Sequence, residues 1–148
     1  MAIVKGCLLP DALLYDVEEM LWYQPLPDGA YRIGGTMVAV GMAGSIAAAT
    51  PKRAGRHVLA GHACAVIESG KLVSAAKVAF AGMIVASNED LMENPRWLEK
   101  DMYGAGWFVE IQPDDAAAAR AVLLTAAEAV PGFLDLMARE KFDGCGAG

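Results

Sequence analysis

His62-Ala63-Cys64-Ala65-Val66-Ile67-Glu68-Ser69-Gly70-Lys71-Leu72-Val73-Ser74-Ala75-Ala76-Lys77-Val78 is the stretch that decides the fold. Small and β-branched residues stand on either side of a Ser-Gly pair, the pattern of two short strands joined by a tight turn. Strands are predicted over 62–68 and 72–78. The tip of such a hairpin holds Lys71 away from the core on a rigid platform with its amine in water. A carrier of a long prosthetic group needs that geometry. A lysine in a turn is also ordinary surface chemistry, so its neighbours must decide between the two readings.

Outward from the hairpin, the chain is a succession of short elements. Trp22-Tyr23 and Ala30-Tyr31-Arg32-Ile33 flank Pro25-Leu26-Pro27-Asp28-Gly29, a second hairpin with an Asp-Gly turn. Thr36 is placed to cap a helix over 37–43 that Gly44 stops. Further strands are expected at 45–50, 83–86 and 107–111, and a helical stretch at 89–100 interrupted by Pro95. Asp114 is read as the cap of a helix over 116–130, with Asp115 suiting its N-terminal dipole. Pro131-Gly132 is read as a break, and a second helix follows over 133–142. Many short strands with terminal helices predict an α+β, mainly β domain: a flattened, barrel-like sandwich with helical flanks.

With 148 residues, 55% hydrophobic and 20% charged, the chain is long and apolar enough for one well-packed domain. The longest uncharged run, 33–51, contains four glycines and many alanines and ends in Pro51, so it reads as buried helix-turn-strand rather than a membrane span. The first ten residues carry no basic leader or cleavage site, and three cysteines do not make a disulfide framework, so the expected location is cytoplasmic. A net charge of −6 argues against nucleic acid. The basic cluster Lys52, Arg53, Arg56 and His57 is either a solvated turn or a dock for an acidic surface.

Catalytic readings fail on inventory. The two histidines, His57 and His62, have no metal spacing around them. A phosphate loop needs Gly at position 65 and Ser or Thr at 72, where Ala65 and Leu72 stand. Biotin carriers flank their lysine with methionines, whereas Gly70 and Leu72 flank this one. No nucleophile–base pair is legible, and the chain is expected not to be an enzyme.

From Gly34 to Asn88 the chain resembles, without a gap, the lipoyl-bearing H-protein of the glycine cleavage system. Glu68-Ser69-Gly70-Lys71-Leu72-Val73-Ser74 is similar to that family's Glu-Ser-Val-Lys-Ala-Ala-Ser. Gly82-Met83-Ile84-Val85-Ala86-Ser87-Asn88 is similar to its Gly-Glu-Ile-Val-Ala-Val-Asn. Tyr103-Gly104-Ala105-Gly106-Trp107 matches its Pro-Tyr-x-x-Gly-Trp, with Met102 in place of the proline. The resemblance implies the lipoyl/biotinyl hammerhead fold, a carrier domain over 15–112, an N-terminal extension over 1–14, and C-terminal helices and tail over 113–148 packed on the same domain. It implies lipoate in amide linkage to Lys71, with Glu68, Ser69 and Gly70 as recognition around it. Gly70 is expected at a positive-φ turn position; ordinary hairpin chemistry accounts for Glu68 and Gly70 equally well. The implied partners are a lipoate-protein ligase or other attaching enzyme and a dihydrolipoamide dehydrogenase.

The chain departs from that pattern at Leu21, Val38 and Ala75. There the glycine-cleavage proteins place an acidic residue, a histidine and an aspartate, polar groups suited to an arm ending in an amine. An ammonium against three apolar side chains would cost several kcal/mol without a partner. Thr36-Met37-Val38-Ala39-Val40, Thr50-Pro51-Lys52 with Gly55, and Val4-Lys5-Gly6-Cys7 resemble instead the lipoate-binding proteins of the sulfur-oxidising pathway with a heterodisulfide-reductase-like complex. That resemblance implies an arm carrying sulfur towards sulfite. Glycine cleavage with aminomethyl cargo, and an unmodified interaction module with the same fold, are the alternatives. Cys64 falls mid-strand as a small core residue. Cys7 and Cys145 each neighbour glycine near a terminus; they pair, exchange with lipoyl thiols, or stay inert.

Overall fold

Leu21, Trp22 and Tyr23 are consecutive and all buried, which a strand achieves only when both of its faces are covered. Leu21 and Tyr23 point into one core and Trp22 into another. The rest of the fold follows from this two-sided strand. The structure is a computed structural model and describes residues 1–70 and 72–146. In chain order the elements are β1 (Ala2–Val4), β2 (Cys7–Leu9), β3 (Leu14–Asp16), β4 (Leu21–Pro25), β5 (Tyr31–Gly35), α1 (Met37–Ala43), β6 (Ile46–Pro51), β7 (His57–Val58), β8 (Ala63–Ser69), β9 (Val73–Lys77), β10 (Gly82–Ser87), α2 (Glu89–Glu93), α3 (Trp97–Lys100), β11 (Val109–Pro113), α4 (Ala116–Ala121), β12 (Leu124–Thr125) and α5 (Ala126–Arg139).

A seven-stranded sheet in the order β12-β3-β4-β5-β11-β10-β7 forms one layer, and a three-stranded sheet, β6-β8-β9, forms the other. Tyr23, Ile33, Ile84 and Ile111 of the first meet Ile46, Ala49, Cys64 and Ala76 of the second in the larger core. No pairing among the described residues joins β12 to β7, so the sandwich is not a closed barrel. The smaller core lies on the other face of β4. There Tyr15 and Trp22 pack with Val4 and Leu9 of the β1–β2 hairpin and with Phe133, Leu136 and Met137 of α5. The indole of Trp22 packs against Gly34, where any Cβ would overlap the ring. Its Nε1 donates to the Met102 carbonyl at 2.9 Å.

Several local predictions match. The Asp-Gly turn joins β4 to β5, with Gly29 at φ +87° and Asp28 Oδ1 accepting from Ala30 N at 3.0 Å. Thr36 caps α1 by accepting from Ala39 N, and Gly44 ends it at φ 78°. Pro95 separates α2 from α3.

The C-terminal third requires three corrections. Asp115, not Asp114, caps α4, accepting from Ala118 N at 3.1 Å; Asp114 instead faces His57, 2.8 Å from its Nε2. The long helix expected from 116 is interrupted where Leu124 and Thr125 pair with Tyr15 and Leu14 of β3, a long-range contact that overrides the local alanine preference. Pro131 does not break the chain: it lies inside α5. Thr125 and Glu128 form a capping box that nucleates this helix, and Phe133, Leu136 and Met137 then bury one face. Those three side chains contribute about 1.5–3 kcal/mol each, enough to offset the roughly 3 kcal/mol that an interior proline costs. The Pro131 ring is on the exposed side.

Candidate functional site

The β8–β9 hairpin is built as the sequence predicts. Val66 pairs with Ala75, Ile67 with Ser74 and Glu68 with Val73. Ser69 and Leu72 close its end: Ser69 N donates to the Leu72 carbonyl at 2.9 Å, and Leu72 N donates to Ser69 Oγ at 3.3 Å. Gly70 N donates to the Ser45 carbonyl at 3.3 Å, tying the tip to the start of β6. Lys71, the residue assigned to lipoate, lies outside the described residues. Glu68 and Gly70 are exposed beside it in sequence. Gly70 does not take the positive φ expected of it, and a Cβ built there meets nothing within 4 Å. The turn therefore needs no glycine for backbone reasons, and a side chain at position 70 would stand in open space.

A cavity of about 320 Å³ opens beside this hairpin, at the small end of the range for small-molecule sites. Leu21, Ile67, Leu72, Ala75 and Phe108 supply apolar walls, and Ala39, Met42 and Ala43 of α1 supply another side. A short aliphatic chain ending in a disulfide ring suits such walls. The side chains present fit a lipoyl group.

The three departures named above do not act together here. Leu21 and Ala75 line the cavity, but Val38 is fully buried in the smaller core with Trp22 and Phe133. Periodicity alone could not tell which side of α1 it occupies. Two carboxylates that the sequence reading missed, Glu18 and Glu19, stand at the rim. Both have partners: Glu18 Oε2 accepts from Arg139 Nη2 of α5 at 3.1 Å, and Glu19 Oε1 accepts from Lys77 N of β9 at 3.3 Å. No local signal would have found them, because their place depends on α5 and β9 arriving from far along the chain.

The other matched motifs are structural. Asn88 Nδ2 donates at 2.8 Å to the carbonyls of both Ala105 and Trp107, clamping the end of β10 to the Tyr103–Trp107 segment. Arg32 lies 4.7 Å over the Trp107 ring and pairs with Glu110 at 2.6 Å. Tyr103 Oη donates to the Leu8 carbonyl at 2.5 Å and accepts from Met37 N at 3.0 Å, and burial pushes its pKa up to about 12.

The cysteines divide as their settings dictate. Cys64 is buried, and burial pushes its thiol up to about 12, so it is an inert core residue. Cys7 and Cys145 form a disulfide, with Cα atoms 4.9 Å apart, that joins β2 to the tail beyond α5. Of the basic cluster, Arg56 and Gly55 are strapped to β10 by backbone hydrogen bonds with Ile84, and His57 faces Asp114.

A sandwich that presents an exposed hairpin beside an apolar groove is the architecture of a carrier for a covalently held group. The family description Glycine cleavage H-protein matches residues 13–134, and the chain belongs to that family. It is 39% identical to glycine cleavage system H protein 5 of Aquifex aeolicus over 99% of this chain and all of that one. It is 31% identical to a probable glycine cleavage system H protein 2 of Sulfurisphaera tokodaii, covering 95% and 96% of the two. The crystal structure of a glycine cleavage system H protein from Mycobacterium marinum superposes with a TM-score of 0.70 at 29% identity, over 90% of this chain and all of that one. The protein is accordingly a non-catalytic lipoyl carrier that acts with partner enzymes, and lipoate held covalently on a lysine is its cofactor. Enzymes that attach lipoate and enzymes of the dihydrolipoamide dehydrogenase type are its partners. Among the described residues, no helix is long and apolar enough to cross a membrane.

Proposed function

We propose that Lys71 is the lipoylated lysine and that the arm carries sulfur, delivered to a heterodisulfide-reductase-like complex in cytoplasmic sulfur oxidation and ending as sulfite. In this reading residues 15–112 form the carrier unit, which 1–14 and 113–148 brace. The bound lipoyl group supplies thiol–disulfide exchange. The chain's own residues do the rest. The β8–β9 ladder and the Gly70–Ser45 hydrogen bond fix the platform on which Lys71 is carried. Glu68 and Ser69 are the recognition marks for the attaching enzyme, and the missing side chain at Gly70 gives that enzyme clearance. Leu21, Ala75 and Phe108 give an apolar wall beside the hairpin.

The observation that carries the sulfur reading is the polarity of that wall. Leu21 and Ala75 offer nothing to an ammonium, and both rim carboxylates are already engaged by Arg139 and by the Lys77 amide. A sulfur cargo needs no anionic cradle. The Aquifex aeolicus relatives carry the numbers 5, 2 and 3, so one organism keeps several such carriers, which leaves room for more than one cargo. The second reading, aminomethyl transfer in glycine cleavage, is favoured by the family itself and by the presence of Glu18 and Glu19 at the rim.

The test offers reduced, lipoylated protein either glycine with the other glycine-cleavage components, or polysulfide with the heterodisulfide-reductase-like complex. Intact mass reads the arm, sulfite the product, and Lys71→Arg serves as the blank. Poor aminomethyl loading with carrier-dependent sulfite formation supports sulfur; efficient glycine-dependent decarboxylation with this protein as sole carrier overturns it.

A further inference from the structure

The Cys7–Cys145 disulfide does more than close the chain. Cys145 Sγ lies against one side of α1, and the other side of the same helix is one wall of the groove. Gly41 marks the contact: a Cβ there would stand 2.8 Å from Phe142 Cζ and 3.5 Å from Cys145 Sγ. Cys145 Sγ lies 3.5 Å from the Met37 carbonyl, and Leu8, next to Cys7, donates its N–H to Met37 Sδ at 3.3 Å. Ala39 and Ala43 line the cavity, as does Met42, which also packs against the smaller core. At seven residues α1 is too short to persist by itself, and Val38 is its only buried side chain. Its order therefore depends on what is packed behind it.

What holds the tail behind α1 is meagre. Phe142 N still bonds the Met137 carbonyl as a continuation of α5. Beyond Phe142, among the described residues, one backbone hydrogen bond (Cys145 N to the Lys5 carbonyl, 3.0 Å) and the disulfide tie the tail to the β1–β2 hairpin. Cys7 is fully buried, whereas Cys145 is half-buried, which makes its sulfur the more accessible of the two.

We propose that the Cys7–Cys145 disulfide is a redox-set brace for the helical wall of the lipoyl groove: a dithiol opens it, frees the tail and loosens α1. In the first step a thiolate of the dithiol attacks Cys145 Sγ; the S–S bond breaks, and Cys7 leaves as a thiolate that takes up a proton. The second thiol of the dithiol then displaces Cys145 and closes the reagent's own disulfide. Two electrons and two protons pass to the protein, and the dithiol is oxidised. The oxidised form holds α1 for the arm; the reduced form gives a wider, less ordered groove. This regulation rests on the groove reading above only for its consequence, not for the movement itself.

Hydrogen exchange on protein lacking lipoate separates the two, because it needs no modified lysine. Oxidised protein, protein reduced with dithiothreitol, and Cys145→Ser are compared by mass spectrometry. The expected result is that amides of Val40 to Gly44 and of the tail exchange roughly tenfold faster in the reduced protein and in the variant, with β5 and β11 unchanged, as local opening predicts. Unchanged α1 exchange after full reduction overturns the proposal. So does an equal rise across all strands, which makes the disulfide a general staple, and so does a disulfide that dithiothreitol fails to open in the native protein.

Discussion

Ala75→Asp tests whether the groove wall selects the cargo. Ala75 is exposed on β9, opposite Val66, and is one of the residues that line the cavity. Aspartate there is disfavoured in a strand by under about 1 kcal/mol, so the fold should survive. An ammonium about 4 Å from the new carboxylate gains about 1 kcal/mol in bulk water and about 4 kcal/mol at an effective dielectric of 20. The site is open to solvent, so the lower end applies, about 1–2 kcal/mol, which is a factor of roughly 5–30 in population. The assay incubates lipoylated wild type and variant with glycine and the other glycine-cleavage components, and reads the loaded fraction by intact mass at matched times. Ala75→Asn is the control, with the same shape and no charge. The expected outcome is poor loading in wild type and Ala75→Asn and a 5–30-fold rise in Ala75→Asp. Equal loading in all three would refute the reasoning, because the wall would then have no say in what the arm carries.

Two further expectations concern stability. Pro131→Ala restores an N–H for the Ala127 carbonyl on the exposed side of α5. The gain is about 3 kcal/mol in the helix less about 1 kcal/mol of lost unfolded-state restriction, so the net of about 2 kcal/mol should raise the melting temperature by roughly 4–8 °C; no rise would mean that the ring has a packing role. The Cys64 thiol titrates at about 12 when folded and near 8.5 when unfolded. Its raised value means the stability it contributes is complete below about pH 8.5 and is lost as the pH climbs towards 12, at up to about 1.4 kcal/mol per unit. Urea titrations from pH 8 to 10.5 should therefore fall more steeply for wild type than for Cys64→Ala, and parallel slopes would contradict the burial argument.

What was legible in the sequence was whatever local chemistry decides. The Ser69–Leu72 hairpin end, the Asp28-Gly29 turn and the Thr36 cap each depend on a few adjacent residues, and each lies where it was expected. The errors arise where distant parts of the chain override neighbours. Pro131-Gly132 reads as a break until the burial of Phe133 and Met137 against Tyr15 and Trp22 is known. Leu124 and Thr125 look helical until β3 is there to pair with them. Motif alignment groups Val38 with Leu21 and Ala75 because it gives position along the chain, not the direction a side chain faces. The N-terminal hairpin turns on Lys5 at φ 47° and Gly6 at φ 82°, a Lys-Gly pair whose turn geometry the flanking residues do not announce. The disulfide is the opposite case: two cysteines 138 residues apart near the two termini, where domain ends often lie close, leave pairing as one of three open readings until the fold brings them together.

Lys71 is the residue on which the carrier role turns. Peptide mapping of protein produced with an active lipoate-attaching enzyme, for wild type and Lys71→Arg side by side, is its most direct measurement. Arginine keeps the charge, but its guanidinium does not deprotonate and cannot take the acyl group. The account predicts one lipoyl adduct, on the peptide containing Lys71, absent from Lys71→Arg while the melting temperature is unchanged. A lipoyl adduct that persists in Lys71→Arg, on Lys77 or any other lysine, would contradict it.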